Sequence, residues 1–163
     1  MTPPFDALRA DHGPAIARLV ASYLPPGPSR DDLSQDIWLA IWKALPRFRG
    51  DSSPRTYVFR IAHNRAATWV VRRPPPADAT DTLALADTGP CPERQASAKQ
   101  DVRRLMRAVR TLAVGQRRVL TLVLEGLSHR EVGEILGVSE NAVGVRLHRA
   151  RRALRAALEG GHG

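Results

Sequence analysis

A chain of 163 residues holds one ordinary domain or two small ones, and with aromatics at only 5% of the sequence its cores must be built from Leu, Val, Ile and Ala, which suits helices better than sheets. The 25 Lys and Arg against 16 Asp and Glu give a net charge of +9 and a pI near 11.2; this points to a polyanionic partner, nucleic acid or an anionic membrane surface, although a GC-rich genome also enriches Arg. A single cysteine, Cys91, excludes an intrachain disulfide, and no stretch approaches the ~18 uncharged apolar residues of a membrane span, so the protein is expected to be soluble and cytoplasmic, without membrane insertion.

Charge divides the chain in three: residues 1–73 carry net +5, residues 74–96 net −3, and residues 97–163 net +7. In the first part, Phe5, Leu8, Ile16, Leu19, Val20 and Tyr23 recur at helical spacing over residues 5–23. A break is expected near Gly13-Pro14, and Pro25-Pro26-Gly27-Pro28 ends the segment. The next helix is expected to be capped by Ser29 or Asp31 and to stop at Pro46. Leu33, Ile37, Ile41 and Ala44 form its buried face, and Trp38, Trp42 and Leu45 a second apolar strip beside it. An apolar arc that wide is either deeply buried or meets a partner. After a loop over residues 47–54, a helix over residues 55–71 sets Val58, Ile61, Ala62, Arg65 and Trp69 on one side and Tyr57, Arg60 and Asn64 on another.

Residues 74–96 open with Pro74-Pro75-Pro76 and contain Gly89-Pro90 and Pro92. Proline removes backbone donors and fixes φ, so this segment reads as a flexible linker, extended at its start. Its 23 residues reach at most ~75 Å at ~3.3 Å each.

The last part reads as a helix over residues 98–112, with Leu105, Val109 and Leu112 on its apolar side, and a second over residues 116–124 ended by Gly126. Residues 128–152 follow with the strongest motif in the chain. Ser128 and Glu131 make a capping box. Val132, Ile135 and Leu136 form a short apolar face, Gly137 permits a tight turn, Val138 plugs the core, and Ser139 caps the next helix. There Val143, Leu147 and Leu154 face inward and Arg146, Arg149, Arg151, Arg152 and Arg155 face out. A capped helix, a short turn with Gly and then a basic helix is a helix-turn-helix. The expected fold is thus all-α: two small helical domains (1–73 and 97–163) joined by the linker, the second containing the helix-turn-helix.

The run Leu127-Ser128-His129-Arg130-Glu131-Val132 through Arg146-Leu147-His148-Arg149-Ala150-Arg151 resembles the second DNA-binding domain of the extracytoplasmic-function (ECF) sigma factors. Asp32-Leu33-Ser34-Gln35-Asp36-Ile37-Trp38-Leu39, Leu45-Pro46-Arg47-Phe48-Arg49-Gly50-Asp51-Ser52 and Thr56-Tyr57-Val58-Phe59-Arg60-Ile61-Ala62-His63-Asn64 are similar to the first domain of the same family. Together these matches cover nearly everything but the linker, in the family's order.

The resemblance implies roles. Asp32, Gln35 and Asp36, with Trp38 and Leu39, would bind core RNA polymerase at the clamp helices of its largest subunit. Phe48, Gly50, Asp51, Ser52, Ser53, Tyr57, Arg60 and Asn64 would hold the minus-ten promoter element as a single strand. Ser139, Asn141, Arg146, His148, Arg149, Arg151 and Arg152 would read the minus-thirty-five element in the major groove. An anti-sigma factor would be a further partner. The sequence departs from the family pattern at Gly144 and Val145, where a basic residue and Ser are usual, and at Pro54 and Tyr57. The rival reading is a helix-turn-helix repressor or activator that acts on duplex DNA without polymerase. Catalysis is not expected: His12, His63, His129, His148 and His162 form no metal spacing with one another or with Cys91, there is no P-loop or nucleophile elbow, and no cofactor, metal or small-molecule substrate is implied.

Overall fold

The structure, a computed structural model, describes residues 2–73 and 92–160. These residues form seven α-helices in the order α1 (Phe5–Tyr23), α2 (Pro28–Ala44), α3 (Pro54–Arg72), α4 (Pro92–Thr111), α5 (Val114–Leu124), α6 (His129–Leu136) and α7 (Glu140–Gly160), with one 3-10 turn at Leu45–Arg47. No strand occurs among them, so the all-α expectation holds. None of the helices is long and apolar enough to cross a membrane.

Helices α1–α3 pack around Ile16, Leu19, Leu33, Ile37, Val58 and Phe59. α1 is continuous through Gly13-Pro14, contrary to the expected break. Pro14 forfeits the bond to the carbonyl four residues back and should kink or end a helix, but Leu8 before it and Ile16, Leu19 and Val20 after it are all buried in the core, so both halves are held by packing. The start of α2 also differs. Its N-cap is Gly27 at φ 145° with Pro28 in the first turn, and no side chain caps it, neither Ser29 nor Asp31. Proline arrives with helical φ and lacks an amide to satisfy, while Arg30 reaches back to the Leu24 carbonyl at 2.6 Å. α3 begins at Pro54, within a residue of the expected start, and is capped by Ser53, whose hydroxyl accepts from the Thr56 amide at 3.1 Å.

Helices α4–α7 enclose Val109, Val119, Leu122, Val132, Val143 and Leu147. α4 begins at Pro92, ahead of the helix expected from residue 98; residues 74–91 of the expected linker lie outside the described residues. Arg117, although buried, donates to the Arg110 and Leu112 carbonyls at 2.5 and 2.9 Å. It thereby satisfies acceptors left open where α4 ends. Arg104 donates to the Leu158 carbonyl and ties α4 to the end of α7.

Candidate nucleic-acid interface

The helix-turn-helix is built by capping and by glycine. The Ser128 hydroxyl accepts from the Glu131 amide at 3.2 Å, and a Glu131 carboxylate oxygen accepts from the Ser128 amide at 2.7 Å. The Ser128 amide, together with the Ser128 hydroxyl donating to the same carboxylate oxygen at 2.9 Å, holds the Glu131 carboxyl below its ordinary pKa. Gly137 closes α6 at φ 68°, and the amides of Gly137 and Val138 both donate to the Gly133 carbonyl. Gly133 is essential to this turn and was not singled out from the sequence: a Cβ there would lie 2.6 Å from the Val138 carbonyl oxygen. The Ser139 hydroxyl then accepts from the Ala142 amide at 3.1 Å and starts α7.

On α7, Val143, Leu147 and Ala150 are buried. The opposite face carries Asn141, Val145, His148, Arg149 and Arg152, all exposed, with Arg146 and Arg151 exposed on its flanks. Asn141, His148, Arg149 and Arg152 share one surface concavity with His129, Glu140, Gly144 and Val145. The geometry therefore gathers four of the expected minus-thirty-five residues on one face. It sets Arg146 and Arg151 at the edges and commits the Ser139 hydroxyl to capping.

A second exposed stripe runs along α2. Asp32, Gln35 and Leu39 are exposed at spacings that share one side of the helix, and so is Trp42, at 57%. Asp36 is half-buried, 3.7 Å from Arg65. Trp38 is not on this stripe. It is half-buried and meets the Phe5 ring edge-on at 5.9 Å between centroids. The two tryptophans lie one turn apart on the same side of the helix, and they differ because the Phe5 ring covers Trp38 and leaves Trp42 to solvent.

The loop before α3 leaves Gly50 (φ 82°) and Asp51 exposed and Ser52 half-buried. Phe48 leans on Tyr57 at 5.0 Å between centroids, and the Tyr57 hydroxyl donates to the Ala44 carbonyl at 2.9 Å. Ser53 is committed to capping α3 and donates to Thr56 Oγ1 at 2.9 Å.

Arg60 and Asn64 are engaged by the second group of helices. Arg60 donates to the Glu134 carbonyl at 3.0 Å, and Asn64 Oδ1 accepts from Arg118 at 2.7 Å. Around them, both Glu125 carboxylate oxygens accept from Arg18, at 2.6 and 2.7 Å. Arg55 donates to the Glu125 carbonyl, and the Arg117 guanidinium lies 5.0 Å over the Tyr23 ring. A mainly apolar cavity of about 460 Å³ lies between α1, α3, α4 and α5. At this junction His63 is buried with its Nδ1 3.4 Å from the Tyr23 hydroxyl. Burial, aided by the Arg118 charge, pushes the His63 pKa down to about 3. Burial pushes the Tyr23 phenol up to about 12.

Comparison with known proteins agrees with this geometry. Residues 8–73 match the family described as Sigma-70 region 2, and residues 102–154 match Sigma-70, region 4. The chain is 33% identical over 162 residues to the RNA polymerase sigma factor NccH of Alcaligenes xylosoxydans xylosoxydans, covering 95% of this chain and 87% of that one. It is 31% identical over 161 residues to the ECF RNA polymerase sigma-E factor of Escherichia coli K12, covering 92% and 84% respectively. The solved structure of CnrH in complex with the cytosolic domain of CnrY superposes with a TM-score of 0.71 at 29% identity, covering 96% of this chain and 88% of that one. Two sigma-70 regions in order, relatives matched along nearly their whole length and a helix-turn-helix with its turn intact place this chain among the ECF sigma factors, which direct bacterial RNA polymerase to specific promoters.

Proposed function

We propose that residues 1–73 and 92–160 act as two sigma domains with separate tasks. The α2 stripe of Asp32, Gln35, Leu39 and Trp42 docks on the clamp helices of core polymerase, with Asp36 at its edge and Trp38 supporting it from beneath. The loop at Gly50, Asp51 and Ser52, together with Phe48, Tyr57, Arg60 and Asn64, holds the unpaired minus-ten strand, and α7 enters the major groove of the minus-thirty-five element. The observation that carries this reading is the stripe itself. An exposed Trp and Leu in line with Asp32 and Gln35, on a helix whose other side is core, mark a protein-docking face.

The protein supplies no reaction chemistry; phosphodiester synthesis belongs to the polymerase, and the factor works in the cytoplasm. Melting a promoter costs a few kcal/mol per extruded base, which the factor offsets by binding the unpaired form while polymerase contacts share the load. In the arrangement seen here the bonds to Arg60 and Asn64 must break before the strand is read, so docking on polymerase opens the molecule. An anti-sigma protein would hold it inactive. CnrH was solved with the cytosolic domain of CnrY, and the cavity between α1, α3, α4 and α5 offers this chain an apolar seat for such a partner.

Fluorescence anisotropy of the labelled full chain with purified core polymerase tests the docking face. Trp42→Ala, and separately Asp32→Ala with Gln35→Ala, are expected to weaken binding at least about tenfold, since a buried interfacial Trp commonly contributes ~2 kcal/mol or more. Binding equal to the unaltered chain would overturn the assignment of the stripe.

A further inference from the structure

Val145 stands at the centre of the α7 face that points away from the core. Buried Val143, Leu147 and Ala150 define the inward side. Counting 3.6 residues per turn sets Val145 almost opposite their mean direction, with Asn141 and Arg152 immediately beside it and His148 and Arg149 on either flank. It is 44% exposed, an apolar, β-branched side chain amid an amide, an imidazole and guanidinium groups. Gly144 stands next to it and faces open space, since a Cβ added there would meet nothing within 4 Å. The helix thus presents two methyl groups at its outermost line, with no side chain at 144 to hold them away from an approaching surface.

An apolar group at this point cannot hold a phosphate and cannot hydrogen-bond a base edge. The major groove offers it one apolar feature, the C5-methyl group of thymine. The surrounding cations Arg149, Arg152, Arg146 and Arg151 supply attraction to the phosphates on either side. Resting on the reading of α7 as the duplex-facing helix, we propose that Val145 is a specificity-determining residue of the upstream promoter element, selecting a thymine by packing on its C5-methyl group. Burying one such group is worth ~0.8 kcal/mol, about fourfold in affinity.

The test uses holoenzyme, the full chain with core polymerase, on duplex promoters whose upstream element is randomised. Bound duplexes are sequenced. Each thymine of the selected element is then replaced singly by deoxyuridine, which lacks only the methyl group. The same series is run with Val145→Ser, a substitution of similar helix propensity at an exposed position. The expected result is one selected thymine whose replacement weakens the unaltered holoenzyme about fourfold, with no such loss in the Val145→Ser holoenzyme. If an upstream element is selected but no thymine is methyl-sensitive, or sensitivity persists in Val145→Ser, the proposal for Val145 is overturned while the assignment of α7 to the upstream element stands. If no upstream element is selected at all, that assignment falls and the proposal with it.

Discussion

Gly133 and Gly144 sit on adjoining helices of the same motif, yet alanine should have opposite effects at the two. At 133 the new Cβ would fall 2.6 Å from a backbone oxygen of the turn, and at 144 it would meet nothing. Alanine is ~1 kcal/mol better than glycine inside a helix, but forcing an atom into filled space costs ~1–3 kcal/mol or more. Gly133→Ala is therefore expected to lower the unfolding midpoint and Gly144→Ala to raise it, as measured by thermal denaturation; an equal response would contradict the packing described. His63 gives a pH dependence. Its ring is buried neutral, with a pKa of about 3 against ~6.5 in the unfolded chain. Between those values the unfolded chain binds the extra proton. Stability is thus complete above pH ~6.5 and falls as pH drops, by up to ~1.4 kcal/mol per unit. Denaturant titrations from pH 7 to pH 5 should show that slope, and His63→Gln should flatten it.

The short helix α6 depends on its cap more than the longer helices do. At eight residues it is below the length at which isolated helices persist in water. Ser128→Ala removes the hydroxyl half of the capping box and leaves the backbone amide of residue 128 bonded to the Glu131 carboxylate; it should cost ~1 kcal/mol, read as a lower midpoint in urea unfolding. Apart from Gly133, whose need for a bare Cα comes from the close approach of the Val138 carbonyl, this element was legible in the sequence, because a capping box, an αL glycine and a second serine cap are local signals whose residues act on their immediate neighbours. The places where sequence and structure part are those where distant packing decides. α1 runs through Pro14 because residues from other helices fix it on both sides. The start of α2 is a local exception: it begins at Pro28, where proline in the first turn stands in place of a side-chain cap. The wide apolar arc on α2 leaves burial and a partner both open in the sequence, and only packing against Phe5 shows that Trp38 is covered while Trp42 stays exposed.

At the scale of the whole molecule, the contacts between α1–α3 and α5–α6 had no signature in the sequence, since they join residues 54 to 107 positions apart. They bear directly on promoter binding, because Arg60 and Asn64 are among the groups engaged. Glu125 is the acidic anchor of this junction, held by both nitrogens of the Arg18 fork, and as an anion it has no favourable contact to offer DNA. Glu125→Ala should loosen the junction, and the free chain should then bind a fluorescent single-stranded minus-ten oligonucleotide several-fold more tightly, in line with the ~1 kcal/mol upper range for a partly exposed ion pair. Unchanged binding would mean that the junction does not limit access to Arg60 and Asn64.

The central claim, that this chain directs polymerase to promoters, is tested most directly by run-off transcription with purified core polymerase on pooled genomic promoters, with and without the protein. The account predicts discrete new start sites that disappear with the Asp32→Ala, Gln35→Ala double variant. No new transcripts, together with tight duplex binding by the protein alone, would contradict it and leave a helix-turn-helix repressor or activator.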